Sequence, residues 1–218
     1  MRRRGNRIAI DNWIVEHTPP GGKVLDIGCG TGDLLARLVK ERNVRATGIE
    51  IAEDCVMKAV QQGLSVHHGN VEEGLDHYPD QCFDLVVMSL TVQELGKPVH
   101  VIRESFRVGR QLLLTFPNFA HWQTRVQLGL LGRAPRTPSL PYTWHESPNR
   151  HVLTIDDWEE FCIQRGWRCV DKAFVTKGKR VRWWPNLRAE VAMYLLEAVP
   201  GKRNQTDGAR AAAEQSKS

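Results

Sequence analysis

A chain of 218 residues with 41% apolar content can bury one α/β core, with or without an insertion, and is short for two full domains. The formal charge of +5 points toward nucleic acid, yet residues 1–7 carry +4 and residues 201–218 carry +2, which leaves about −1 for everything between. The basic character therefore belongs to two tails, 1–7 and 200–218, expected to be disordered and solvated, and an RNA-binding arm is disfavoured.

Ile8 to His17 is expected to form a short leading helix, stopped by Thr18-Pro19-Pro20-Gly21-Gly22, a cluster that no helix or strand interior tolerates. Val24-Leu25-Asp26-Ile27-Gly28-Cys29-Gly30-Thr31-Gly32 then combines an apolar run, a terminal acid and three glycines at alternate positions. Continuous apolarity marks a buried parallel strand. Glycines where the strand breaks into a helix supply positive φ and let a ligand approach bare backbone. A dinucleotide fingerprint needs its third glycine at position 33, which is Asp33 here; the move to Gly32 favours S-adenosylmethionine over NAD.

A helix over Asp33 to Arg42 leads to a second strand, Arg45 to Glu50, whose closing acid lies 18 residues beyond Gly32. An acid about 20 residues past such a loop can accept hydrogen bonds from ribose hydroxyls, because a doubly wound sheet binds its ligand at the strand carboxyl ends. The rival account is a tight turn plus a solvated acid. Further strands are expected at Leu64 to His68, Phe83 to Leu90 and Gln111 to Phe116, with helices at Ala52 to Gln62 and Pro98 to Phe106. This alternation is that of parallel strands joined by helical crossovers.

Residues 118–150 break the pattern with Pro135, Pro138, Pro141 and Pro148 among Phe119, Trp122, Tyr142 and Trp144. An irregular stretch of that length inside a compact domain of residues 8–199 reads as an insertion forming a lid or binding loop. Thr154-Ile155-Asp156-Asp157 resembles a capping box, opening a helix that runs to Arg165 and ends at Gly166. Two strands follow, near Trp167 to Thr176 and Glu190 to Glu197, around a basic, aromatic loop from Lys177 to Trp184. The stretch from Lys177 to Arg188 could grip phosphate or RNA; solvated arginines over packed tryptophans explain it at least as well.

Each part of the cofactor needs its own partner. Asp26 is placed to meet the methionine ammonium, while Gly28, Cys29, Gly30 and Gly32 with the following helix N-terminus can receive the carboxylate. Glu50, followed by Ile51, takes the ribose; Asn70 can reach the adenine edge, with Val71 on the ring, though a plain polar loop residue is the rival account of Asn70. Ser89, Leu90 and Thr91 should line the methionine side, and Asp84 should organise its strand rather than touch ligand. No decisive base stands out. His121, Tyr142, His145 and His151 are weak catalytic candidates for which a structural hydrogen bond or exposure is the simpler role.

The five cysteines, Cys29, Cys55, Cys82, Cys162 and Cys169, are odd in number and show no C-x-x-C or other metal spacing, so neither a disulfide framework nor a metal site is expected. Arg2 to Arg4 look like the charged start of a signal peptide, but no apolar segment follows them, and no run approaches the ~18 apolar residues of a membrane span. A reducing cytoplasm and no membrane partner fit these features.

The glycine turn with Glu50 resembles the class I S-adenosylmethionine-dependent methyltransferases. A narrower likeness lies in Leu85 to Gln93, Arg107 to Arg110, Thr115 to Trp122, Leu140 to Tyr142 with Trp144, and Ser147 to Asn149 before Thr154-Ile155. These segments resemble the methionine biosynthesis protein MetW family. The resemblance implies a doubly wound, seven-stranded, mostly parallel sheet with an insertion before the last helix and two strands. It also implies a partnership with a homoserine O-acyltransferase in bacterial methionine synthesis. Two roles are open: a cofactor-sensing accessory subunit, or a methyltransferase acting on a small-molecule acceptor.

Overall fold

The structure, a computed structural model, describes residues 2–198, with side chains from residue 5 onward. The expected tail at 200–218 lies outside the described residues. Strands β1 (Lys23–Ile27), β2 (Arg45–Glu50), β3 (Ser65–His68), β4 (Phe83–Ser89), β5 (Gly109–Pro117), β6 (Trp167–Thr176), β7 (Lys179–Arg180) and β8 (Val191–Ala198) form one sheet, ordered β3-β2-β1-β4-β5-β8-β6-β7. Pairing is parallel from β3 through β5 and antiparallel where β8 joins β5 and β6. The eighth strand is the short β7, which pairs with the end of β6 within the expected basic loop.

Side-chain alternation along the central strands feeds two cores. Val24, Leu85, Val87 and Leu113 pack with Ile10, Trp13 and Ile14 of α1 (Arg2–His17) and Leu34 and Leu38 of α2 (Asp33–Arg42). Leu25, Ile27, Val86, Met88, Leu112 and Phe116 pack instead with Val101, Ile102 and Phe106 of the crossover helix α4 (Pro98–Val108) and Trp158 of α6 (Ile155–Arg165). A third crossover helix, α3 (Glu53–Gln61), joins β2 to β3. Both faces being covered, β1 and β4 are apolar nearly throughout. Asp84 has its expected structural role: it accepts from the Lys23 N–H at 2.9 Å and pairs with Arg110 at 3.3 Å.

The sheet topology positions the site. Chain order reverses between β1 and β4, so their connections leave in opposite directions and open a crevice at the carboxyl ends of the strands.

Three sequence expectations need correction. The leading helix begins at Arg2, not Ile8, so the backbone of residues 2–7 is helical and not a disordered arm. Asn6 explains the extension: it is buried, its Nδ2 donates to buried Glu190 at 2.5 Å, and its Oδ1 accepts from the Gly178 N–H at 2.8 Å. Residues 118–150 are not wholly irregular. They contain a further helix, α5 (Trp122–Gly129), which His121 opens by accepting from the Gln123 N–H. Trp183 and Trp184 are 77% and 74% exposed, so no packed tryptophans underlie the basic loop; a short helix, α7 (Pro185–Arg188), follows directly and has no buried residue of its own.

Glu190 gathers Asn6 of α1, the Lys177 N–H of the β6–β7 turn at 3.4 Å and Ser139 of the insertion at 3.5 Å. Replacing Asn6 with Leu would strip a buried carboxylate of its shortest donor and orphan the Gly178 amide. The expected cost is about 1–3 kcal/mol, or a melting temperature lower by roughly 2–12 °C. An unchanged melting curve for Asn6→Leu would show that this junction does not stabilise the fold.

Candidate functional site

A cleft of about 810 Å³ opens at the ends of β1, β2 and β4 and is lined by Gly28, Glu50, Ile51, Asn70, Val71 and Ser89 among others. Backbone ties the turn after β1 to β2: the Gly28 and Cys29 amides both donate to Ile49 O, at 2.8 and 3.3 Å. Gly28 sits at φ 73 and passes so close to Thr91 that a Cβ would lie 2.8 Å from that side chain. Gly30, at φ 56, has open space where its Cβ would be. The first glycine thus serves close packing, while the second is not among the cleft-lining residues and faces open space beside them.

Glu50 closes one wall. Its Oε2 accepts from the Gly30 N–H at 2.8 Å and its Oε1 from the Ile51 and Ala52 N–H groups at 2.9 Å. A carboxylate has about four acceptor directions, so roughly one remains toward the cleft. Asn70 lines the cleft while its Oδ1 accepts from the Glu72 N–H at 3.0 Å, and Val71 behind it is buried.

Asp26, Cys29 and Gly32 lie behind the lining. Asp26 is 2% exposed and its Oδ1 has no hydrogen-bond partner among the described residues. Burial pushes its carboxyl up to about 7, with Arg7 opposing and Asp11 and Glu50 reinforcing the rise. A buried carboxylate oxygen without a donor is a natural receptor for a cation. The Cys29 thiol, pushed up to about 12 mainly by burial, packs against Gly48, where a Cβ would come within 2.5 Å of its sulfur. Gly32, at φ 83, stands before α2, and a Cβ there would meet Leu64 at 2.4 Å, so it serves helix packing.

Ser89, Leu90 and Thr91 all line the cleft, with Ser89 Oγ buried and without a partner among the described residues. Leu90 takes the left-handed φ of 60 that L residues seldom adopt, held there by its N–H to Thr115 Oγ1 at 3.0 Å.

None of the histidine and tyrosine candidates lines this cleft. His121 is 4% exposed and caps α5 through Nδ1, and burial lowers its pKa. His145 lies beside Thr143 and Trp144; Tyr142 lines the cavity that adjoins the cleft through Arg7, Leu90 and Glu94, and with His151 it lines another along the insertion. Of the insertion, only its far end reaches the cleft, through Ser147, Pro148 and Arg150.

Arg7, Glu72, Glu94 and Arg150 also line the cleft, and sequence reasoning missed them. Arg7 had only a weak signal: Asn6 stands four residues before Ile10 on the face of Ile10, Trp13 and Ile14, but it is polar and does not continue their apolar stripe. Arg150 had none, because an irregular segment gives no periodicity from which to place it.

A family model described as methionine biosynthesis protein MetW matches residues 9–196. The bifunctional methionine biosynthesis protein MetXA/MetW of Rhodopirellula baltica is 33% identical over 193 residues, which cover 83% of this chain and 31% of that relative. A ubiquinone biosynthesis O-methyltransferase of Pseudomonas fluorescens is 33% identical over 104 residues, 44% of each chain. The chain thus spans less than half the length of these curated relatives. Among solved structures, an S-adenosylmethionine-dependent methyltransferase from Archaeoglobus fulgidus superimposes with a TM-score of 0.64 at 15% identity, covering 89% of this chain and 94% of that one. One from Aquifex aeolicus does so with a TM-score of 0.61 at 19% identity, covering 89% and 93%. These structural likenesses carry the class I methyltransferase fold. With a family match that runs from α1 to β8 and encloses the strand-end cleft, the chain belongs to the methionine biosynthesis protein MetW family.

Proposed function

We propose that this chain binds S-adenosylmethionine in the strand-end cleft and acts in the cytoplasm with a homoserine O-acyltransferase, whose acylation it supports or tunes. The observation that carries the partner is the Rhodopirellula relative, whose name joins MetXA and MetW in one polypeptide. A fusion holds two modules at high effective concentration, and separate chains with the same roles reach that state by binding each other.

The cofactor assignment rests on the donor set. The unpartnered Asp26 Oδ1 suits the methionine ammonium, the open space over Gly30 suits a close-lying carboxylate, and Arg7 on the lining adds positive charge for it. Glu50 faces the ribose with its remaining acceptor direction, and Asn70 and Val71 meet the adenine. When bound, the cofactor supplies an electrophilic methyl group. A second reading, transfer of that methyl to a small-molecule acceptor, is favoured by a neighbouring cavity that shares Leu90 with the cleft. Alignment alone can support such a transfer. Nucleic acid is disfavoured as a partner by the charge distribution, and no described helix is long and apolar enough to cross a membrane.

Glu50→Ala is expected to weaken S-adenosylmethionine by about 1–3 kcal/mol, roughly 5- to 150-fold, in calorimetric titration. Binding of NAD instead, or of no nucleoside, overturns the pocket assignment. Asp26 adds a pH signature. Its folded value lies above that of the unfolded chain, so it takes up a proton on folding, and its contribution to stability falls as pH rises toward about 7 and is level beyond. An ammonium prefers the ionised carboxylate, so cofactor affinity should rise between about pH 5 and 7, by up to about tenfold per unit, and Asp26→Asn should flatten that profile. A wild-type profile already flat removes Asp26 from the contact. For the partner, co-expression with a homoserine O-acyltransferase should give a co-purifying complex and a changed acylation rate; the same rate with and without this chain ends that reading.

A further inference from the structure

A second cavity, of about 260 Å³, lies beside the cleft and shares Arg7, Leu90 and Glu94 with it. Ile10, Leu90, Pro117 and Val191 give it an apolar side. Opposite in character, Gln93 and Glu94 place two acceptor-bearing heads together, with Gln93 Nε2 3.5 Å from Glu94 Oε1. Gln93 is 3% exposed, and its Nε2 also donates to Leu90 O at 2.5 Å, which sets the amide orientation. Its Oε1 is left buried without a donor among the described residues. Burial raises the Glu94 carboxyl, the Gln93 amide opposing and Glu50 adding to the rise. Arg7, the cation on the lining, is engaged through Nε by Asp11 at 3.1 Å.

We propose that this cavity binds a small aliphatic primary amine as its ammonium ion, with the head between Gln93 Oε1 and the Glu94 carboxylate and the chain against Ile10, Leu90, Pro117 and Val191. An ammonium offers three donors and a positive charge, so it satisfies the orphaned amide oxygen and pairs with the neighbouring Glu94 carboxylate at once. A hydroxyl satisfies the amide but leaves the Glu94 charge unpaired, and an anion meets Glu94 with like charge. The shared residues Leu90 and Glu94 place this ligand next to the nucleoside cleft. The inference goes beyond the cofactor reading and does not depend on it.

The test uses the full chain with n-butylammonium chloride, n-butanol and sodium butyrate as probes of matched length, titrated at about pH 7 by calorimetry or ligand-observed NMR. The ammonium should bind about tenfold more tightly than either of the others, as a charge-assisted contact does over a neutral one. Glu94→Gln should cost about fivefold or more of that affinity. Gln93→Met should also lower it, with the thermal melt checked in parallel; if this buried substitution fails to fold, Glu94→Gln decides alone. Equal binding of the three probes, no binding of the ammonium, or full affinity in Glu94→Gln overturns the proposal. S-adenosylmethionine is titrated into the same samples to separate the two readings. A chain that takes the nucleoside but not the amine refutes the amine site alone, and one that takes the amine but not the nucleoside refutes the cofactor assignment alone.

Discussion

The Glu50 carboxylate is the constraint on which the strand-end cleft depends. By accepting from Gly30 on one side and from Ile51 and Ala52 on the other, it ties the turn after β1 to the turn after β2. Hydrogen bonds to an ionised acceptor are about twice as strong as neutral ones, so both turns are held before any ligand arrives. The strands cooperate because Ile27 and Ile49 stand in register, ending β1 and β2 at one level. The close contact of Cys29 with Gly48 is possible only because position 48 has no side chain. A ligand entering here meets a preformed surface and bears less of the cost of ordering the loop.

Two further carboxylates, both buried where Glu50 is partly exposed, show how the same group serves structure or site according to its partners. Glu190 is surrounded by donors from α1, the insertion and the β6–β7 turn, and draws four separated segments together. Asp26 is equally buried, yet one of its oxygens has no partner and its carboxyl is pushed toward neutrality. Buried polar groups in folded proteins are nearly always satisfied, so an orphan just behind the lining of a cleft marks a place where a ligand can complete the chain. The Glu190 junction also bears on the site, since it anchors the helix that carries Arg7 to the cleft.

Helices α2 and α6 were legible in the sequence to the residue. α2 ends at Asn43 in the left-handed region, and α6 starts where Thr154 Oγ1 accepts from the Asp157 N–H at 3.2 Å and stops at Gly166, φ 67. β2 and β6 also have the expected bounds, because each runs from a turn or helix end into a turn. Helix α5 was not legible: its exposed Leu128 and Trp122 blur the apolar stripe, and the His121 cap is a weak sequence signal. The exposed tryptophans were misread because large aromatics ordinarily lie against a core.

What the sequence determined by itself is local and periodic: the order of strands and helices, the glycine turn with its alternate positive-φ positions, and the acid that ends the second strand. Those features follow from backbone sterics and from burial on two faces, which act over a few residues. What only the tertiary structure decided is which distant residues share a cavity. Arg7, Glu94 and Arg150 come from a helix end, a short turn and an irregular segment, and meet because backbone hydrogen bonds such as Arg150 N–H to Gln93 O at 2.8 Å fold the insertion back across β4. Such a contact joins residues with no common period, so it exists only once the sheet has set the distances between them.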